Sequence, residues 1–318
     1  MGNPVRWGIM GTGGIAGAFA ADLALTDSGT VVAVGSRSQA SADAFADRLG
    51  IERRHASYED LATDPDVDAV YAATPHPMHH ANALLALHAG KPVLVEKPFT
   101  MNADEARELV KVARDNNVFL MEAMWTRFLP GIRRVRELVG TIGDIVTVTA
   151  DHGQWFAEDA EHRLFAPALG GGALLDLGVY VVSFASMVLG KPDRVVSMID
   201  PAFTGVDGQT SMIFGYDSGA QAVLTCTLRA KSPTRATIVG TDGRIEIDGA
   251  FYAPAAVTLT PRDGEPTVIP SVHEGRGLRH QADEVALRLA AGDLESPLMP
   301  LDETVSIMET MDAILAQH

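Results

Sequence analysis

Between residues 5 and about 123, short apolar runs alternate with segments of helical period, and no other property of this chain restricts its fold so severely. The runs are Val5 to Met10, Val31 to Ser36, Ala69 to Ala73, Val93 to Glu96 and Val118 to Glu122. Helical patterns occupy Ile15 to Leu25, Gln39 to Leu49, His79 to Ala89 and Ala103 to Asn116, with Gly90 suited to a helix end and Asn102 with Glu105 to a capped helix start. This rhythm predicts an α/β Rossmann domain built on a doubly wound parallel sheet.

After Gly143 the period changes. Alternating strands are expected at Asp144 to Asp151, Arg194 to Asp200, Thr210 to Tyr216, Ala220 to Leu228, Ala236 to Gly240, Arg244 to Asp248 and Val257 to Thr260, with hairpin turns at Asp217-Ser218-Gly219, Thr241-Asp242-Gly243 and Arg262-Asp263-Gly264. One helix interrupts them at Ala173 to Leu189, and two more close the chain. The expected division is therefore a Rossmann domain over 1–122 and an α/β domain over 123–318, its open sheet mostly antiparallel.

Composition excludes several classes. With 318 residues and 47% hydrophobic content the chain can bury an ordinary core. A net charge of -16 with no compact basic stripe repels a phosphate backbone, so no nucleic-acid partner is expected. The longest apolar stretch, Val179 to Leu189, is about 11 residues against the roughly 20 that span a bilayer, so no membrane segment is expected. Residues 1–4 lead straight into a strand with no room for a leader, which makes the cytoplasm the expected compartment. The single cysteine, Cys226, reads as a packed small hydrophobe inside a strand.

Chemistry concentrates at a few turns. Gly11-Thr12-Gly13-Gly14-Ile15-Ala16 fits G-x-G-x-x-A between the first strand and the first helix, where the glycines admit a pyrophosphate and Ala16 admits close helix packing. The second strand ends in Ser36-Arg37-Ser38, with no acid for a ribose 2′-hydroxyl. Those three residues instead suit a 2′-phosphate, so NADP is the expected cofactor. Glu96-Lys97-Pro98 follows a strand directly, which puts Lys97 at the sheet edge where such folds bind ligands. Thr74-Pro75-His76-Pro77-Met78-His79-His80 forms a rigid loop at the same edge, with His76 toward the nicotinamide and His79 helping to cap its helix. Three clustered histidines without cysteine partners do not make a zinc site, and no metal is expected. In Gly170-Gly171-Gly172 followed by Asp176 and Tyr180, the carboxylate and the phenol stand at i and i+4 on one helix face.

Gly11-Thr12-Gly13, Thr74-Pro75 with His79, Glu96-Lys97-Pro98, and Gly171-Gly172 with Asp176 resemble the glucose-fructose oxidoreductase, inositol dehydrogenase and rhizopine catabolism (Gfo/Idh/MocA) family throughout the chain. Met121-Glu122-Ala123-Met124-Trp125-Thr126-Arg127-Phe128, Arg163-Leu164-Phe165, Tyr180 and Glu295-Ser296-Pro297 are similar to its dimeric dihydrodiol and NADP-dependent D-xylose dehydrogenase subgroup. Ala166 and His280 depart from that pattern. The resemblance implies that Lys97 and Tyr180 flank the reacting carbon with Asp176 in support. It also implies that Thr74, Pro75, His76, His79, Glu96, Lys97, Trp125 and Arg163 join Gly11 to Ile15 and Ser36 to Ser38 around NADP, and that Trp125, Trp155 and Phe156 line a pocket for a small polyhydroxy substrate. A homodimer formed through the second sheet follows in the same way. The expected activity is hydride transfer between nicotinamide and a carbinol or carbonyl carbon of a trans-dihydrodiol or aldose. A keto-sugar or anhydro-sugar reductase is the nearest rival, and a non-catalytic NADP-binding regulator is the rival of another class. Which of Lys97 and Tyr180 exchanges the proton is left open by the sequence.

Overall fold

The computed structural model describes residues 4–318. In chain order it contains β1 (Val5–Met10), α1 (Gly14–Leu23), β2 (Gly29–Gly35), α2 (Gln39–Leu49), β3 (Arg53–His55), α3 (Tyr58–Ala62), β4 (Ala69–Ala72), α4 (His79–His88), β5 (Val93–Glu96), α5 (Ala103–Asn116) and β6 (Leu120–Ala123). There follow α6 (Pro130–Leu138), β7 (Ile145–Gly153), α7 (Val179–Leu189), β8 (Arg194–Pro201), β9 (Asp207–Gly215), β10 (Gln221–Thr227), β11 (Ala236–Gly240), β12 (Gly243–Ile247), β13 (Val257–Pro261), β14 (Thr267–Ile269), α8 (Arg279–Ala291) and α9 (Leu301–Leu315). The reading of residues 1–3 as leading into the first strand lies outside the described residues.

The chain divides into two compact units. The first takes the chain through Phe128 and again over Glu274–Thr304, and the second takes Leu129–His273 and Val305–His318. In the first, six parallel strands run in the order β3-β2-β1-β4-β5-β6. The order reverses between β1 and β4, which is the crevice where doubly wound sheets take their ligands. Strands β4, β5 and β6 are buried at every position, as a parallel sheet covered on both faces requires.

The expected division at residue 122 with one continuous second domain needs correction. The Trp125–Phe128 turn and the segment Glu274–Thr304 belong to the first unit. The buried Asp22 carboxylate, at the end of α1, accepts the amides of Arg276 at 2.9 and 3.0 Å and of Leu278 at 2.7 Å. The Thr26 hydroxyl donates to Asp283 at 2.7 Å, and the Leu120 amide donates to the Leu294 carbonyl at 3.1 Å. These bonds join positions some 170 to 260 residues apart, a separation that periodicity does not register.

The second unit is an eight-stranded sheet in the order β14-β13-β12-β11-β7-β10-β9-β8. Its pairs are antiparallel except β10 with β7. One face packs on α7, where Val148, Ala150, Met212, Phe214, Ala222, Leu224 and Cys226 are buried. By length and apolar character Pro167–Leu189 could cross a membrane, yet 78% of its most apolar stretch is buried inside the protein, so it is a packed core element. The thiol of Cys226 is 1% exposed and its pKa is pushed up by burial, which makes it a small hydrophobe against the helix.

Candidate active site

In the first unit the site is assembled from the turns that end β1, β2, β4 and β5. Gly11 turns with φ +108°, and a Cβ there would stand 2.6 Å from the Ala73 carbonyl oxygen, so the turn admits only glycine. Gly13 begins α1 with no side-chain cap, the first turn carries no acid, and the space where a Cβ would project from Gly13 or Gly14 is open for 4 Å. Thr12 is half-buried and Ile15 exposed beside them, while Ala16 is fully buried against the sheet. An uncapped helix start with open amides attracts an anion. These residues fit the pyrophosphate of a dinucleotide.

At the end of β2, Ser36 is buried and Ser38 is used as the N-cap of α2, its hydroxyl accepting the Ser41 amide at 3.2 Å. Arg37 and Ser38 are both exposed, and the Arg37 guanidinium reaches the Tyr58 hydroxyl; burial raises the phenol pKa and the Arg37 charge opposes that rise. No carboxylate stands among residues 35–38.

Lys97 is half-buried immediately beyond β5. Glu96, expected among the cofactor contacts, is instead 4% exposed and braces this turn from inside: its carboxylate accepts the Tyr71 hydroxyl and, at 3.1 Å, the Lys97 amide. His79 also departs from expectation. Its ring is fully buried and neither caps α4 nor reaches a surface that a cofactor could touch. Nδ1 lies 2.8 Å from the Pro98 carbonyl oxygen and Nε2 2.8 Å from that of Thr74. Burial lowers its pKa, the two carbonyls oppose that, and the Lys97 charge adds to the lowering. Asn82, one turn further along α4, donates to the Thr74 hydroxyl at 3.0 Å; the spacing His79-x-x-Asn82 on one helix face was the available sign of this role. Pro75 is exposed and His76 half-buried on the same loop, and His80 turns away to Glu108 at 3.0 Å. Trp125, on the turn after β6, is 9% exposed.

Glu122 is buried without hydrogen-bonding partners for either carboxylate oxygen, the Thr304 hydroxyl and the Phe99 amide facing it short of bonding geometry. Burial pushes its pKa up to about 7, the nearby Arg127 charge limits the rise and Glu96 adds to it.

In the second unit Asp176 and Tyr180, 4% and 6% exposed, lie at the start of the apolar helix. Residues Leu174–Gly178 form a π-turn that runs into α7, a local widening that recurs at functional sites. Arg163, expected among the cofactor contacts, has both terminal guanidinium nitrogens on Asp176, at 2.9 and 3.3 Å. The glycines before the turn make room for protein atoms: a Cβ on Gly171 would meet the Leu164 carbonyl at 2.8 Å, and one on Gly172 the Asp207 carboxylate at 2.0 Å. That carboxylate accepts the Leu174 amide at 2.6 Å and the Thr210 hydroxyl at 3.0 Å, and burial pushes its pKa up to about 6.

Around Tyr180 stand two rings that the sequence reading did not single out. His152 lies 5.3 Å from the Tyr180 ring and stacks on Tyr252 at 4.4 Å, and Tyr252 is 5.1 Å from Tyr180. The Gln154 amide donates to His152 Nε2 at 3.0 Å. The alternation that buries Val148 and Ala150 also carries His152 inward, and this was its legible sign. Trp155 is 67% exposed and Phe156 packs near His162.

The parallel sheet, the glycine turn and the strand-end lysine define a nicotinamide-nucleotide oxidoreductase. The profile described as "Oxidoreductase family, NAD-binding Rossmann fold" matches residues 5–124, and that of the GFO/IDH/MocA C-terminal domain matches residues 132–246. The chain belongs to the GFO/IDH/MocA family and is an oxidoreductase acting on CH–OH groups. It is 38% identical to a trans-1,2-dihydrobenzene-1,2-diol dehydrogenase of Xenopus laevis over 98% of this chain and 97% of the relative. It is also 38% identical to the protein of that name from Mus musculus, over 97% and 95% of the two chains. A crystal structure of KijD10, a 3-ketoreductase from Actinomadura kijaniata in complex with NADP and TDP-benzene, superposes with a TM-score of 0.86 at 27% identity, covering 99% of this chain and 98% of that one.

Proposed function

We propose that this protein is an NADP-dependent dehydrogenase of trans-dihydrodiols or aldoses. The observation that carries the reading is Lys97, held at the carboxyl end of β5 by the Glu96 carboxylate on its amide, on the same sheet edge as the open Gly13-Gly14 turn. A nicotinamide bound along that edge supplies the hydride acceptor. Gly11 to Ile15 hold the pyrophosphate, Arg37 with Ser36 takes the 2′-phosphate, and Thr74, Pro75, His76 and Trp125 border the ring. Lys97 polarises and orients the substrate oxygen. Tyr180 exchanges its proton, and Asp176, paired with Arg163, orients the phenol. Trp155, Phe156 and Trp125 supply apolar faces for a ring or sugar. Pairing of Arg163 with Asp176 supports a neutral polyhydroxy substrate over a carboxylic acid, which wants a guanidinium fork of its own.

The relatives named for a dihydrodiol substrate support the diol arm of this reading, and the NADP-bound 3-ketoreductase supports a reductase acting on a keto-sugar as the second reading. The protein works as a homodimer through the outer face of its second sheet.

The test is a screen of trans-dihydrodiols, aldoses and keto-sugars with NADP(H) and NAD(H), followed by variants assayed on the best substrate. Lys97→Met and Tyr180→Phe each lower turnover on the order of a hundredfold or more with cofactor binding retained. Arg37→Ala weakens NADP more than NAD. Near-native turnover in both single variants, or a native preference for NAD, defeats the assignment.

A further inference from the structure

The three turns at the cofactor edge are not independent loops. A Cβ on Gly11 would meet the Ala73 carbonyl, and the next residue, Thr74, is gripped from α4 on its hydroxyl by Asn82 and on its carbonyl by His79. The other nitrogen of the same imidazole meets the carbonyl of Pro98, the residue after Lys97. A single buried ring thus spans the turn after β4 and the turn after β5. Both of its neighbours are carbonyl oxygens, which accept and never donate, so a neutral imidazole with one N–H bonds one of them and abuts the other. Full burial leaves no water to take the place of either contact.

We propose that His79 is a positioning residue that sets the place of Lys97 relative to the cofactor turn. The inference rests on the role given above to Lys97, and it assigns the histidine no contact with cofactor or substrate. Removing the ring leaves the Pro98 and Thr74 carbonyls without their common partner and frees the Lys97 turn to shift against the Thr74 turn. A displacement on the order of 1 Å in a positioned group costs about a hundredfold in rate. Glutamine is the conservative replacement, because its planar amide still offers an N–H to one backbone carbonyl, as the neutral ring does, whereas alanine offers none.

Two measurements test this on the full-length protein. The first follows the resonance of 13C-dimethylated Lys97, assigned by its loss in Lys97→Met, in the wild type, His79→Ala and His79→Gln. The expected result is a shifted resonance in His79→Ala and one nearer the wild type in His79→Gln, with NADPH binding retained throughout. An unchanged Lys97 resonance in a folded His79→Ala overturns the proposal, and if that variant fails to fold, His79→Gln and His79→Asn carry the comparison. The second is a double-substitution cycle in turnover of trans-1,2-dihydrobenzene-1,2-diol with NADP. His79→Ala should lower kcat about a hundredfold in the wild-type background and add little to Lys97→Met, since the group it positions is already gone; equal losses in both backgrounds would mean a general packing role and also overturn it. If the wild type leaves the diol untouched, the substrate reading fails, while the Lys97 resonance still decides the role of His79.

Discussion

Glu122 shows how one residue turns burial into a measurable pH dependence. Its carboxyl titrates near 7 in the folded protein against an ordinary value of 4.5. A pKa raised by folding adds stability that is complete below the unfolded value and is lost as the pH rises through the folded one. The window is therefore about pH 4.5 to 7, and a rise from 4.5 to about 7 corresponds to a loss on the order of 3 kcal/mol across it. Glu122→Gln removes the titration. Urea unfolding of both proteins at pH 5 and pH 8 should show the wild type losing stability relative to the glutamine variant at the higher pH; parallel pH dependences would refute the burial argument. The sequence put Glu122 inside a motif without a reason for it. What surrounds it, Arg127 and Thr304, comes from a turn and from a segment of chain that returns much later.

At the scale of elements, the apolar alternation reads directly into β1, β2, β4, β5, β6 and the helices between them. β3 and α3 escaped because Arg53–His55 carries no apolar pattern and Tyr58–Ala62 is one short turn. The π-turn over Leu174–Gly178 was equally hidden, since i and i+4 stay on one side whether the turn is α or π. The glycines before it were legible as a place of close approach, but their partner, Asp207, lies on β9. That pairing makes a firm expectation: Gly172, at φ +129°, has no room for a Cβ beside the carboxylate that caps the turn. Gly172→Ala should cost about 2–4 kcal/mol from the lost cap and the strained backbone together. It should also lower turnover by moving Asp176. A variant melting within a degree of the wild type would show that the carboxylate has somewhere else to go.

For the molecule as a whole, the second sheet buries one face and exposes the other. Val196, Ile213 and Val223 pair across β8, β9 and β10, with exposures of 63%, 49% and 40%, and Met198 beside them is 74% exposed. A row of apolar side chains on an open sheet face suits a second copy of the same sheet, provided the contact clears about 1,000 Å² in all. Ile213→Asp with Met198→Glu should convert the proposed dimer to a monomer by light scattering, without loss of NADPH binding. An unchanged mass, or a wild type that is already monomeric, removes this face from the dimer reading. The first unit carries a consequence of another kind. When the ribosome has joined Phe128, every strand of the parallel sheet exists, yet the amides of Arg276 and Leu278 that Asp22 holds are still about 150 residues from synthesis. At ordinary elongation rates that is a wait of roughly 7–30 s, during which the nascent sheet has its cofactor turns but not its last helical cover.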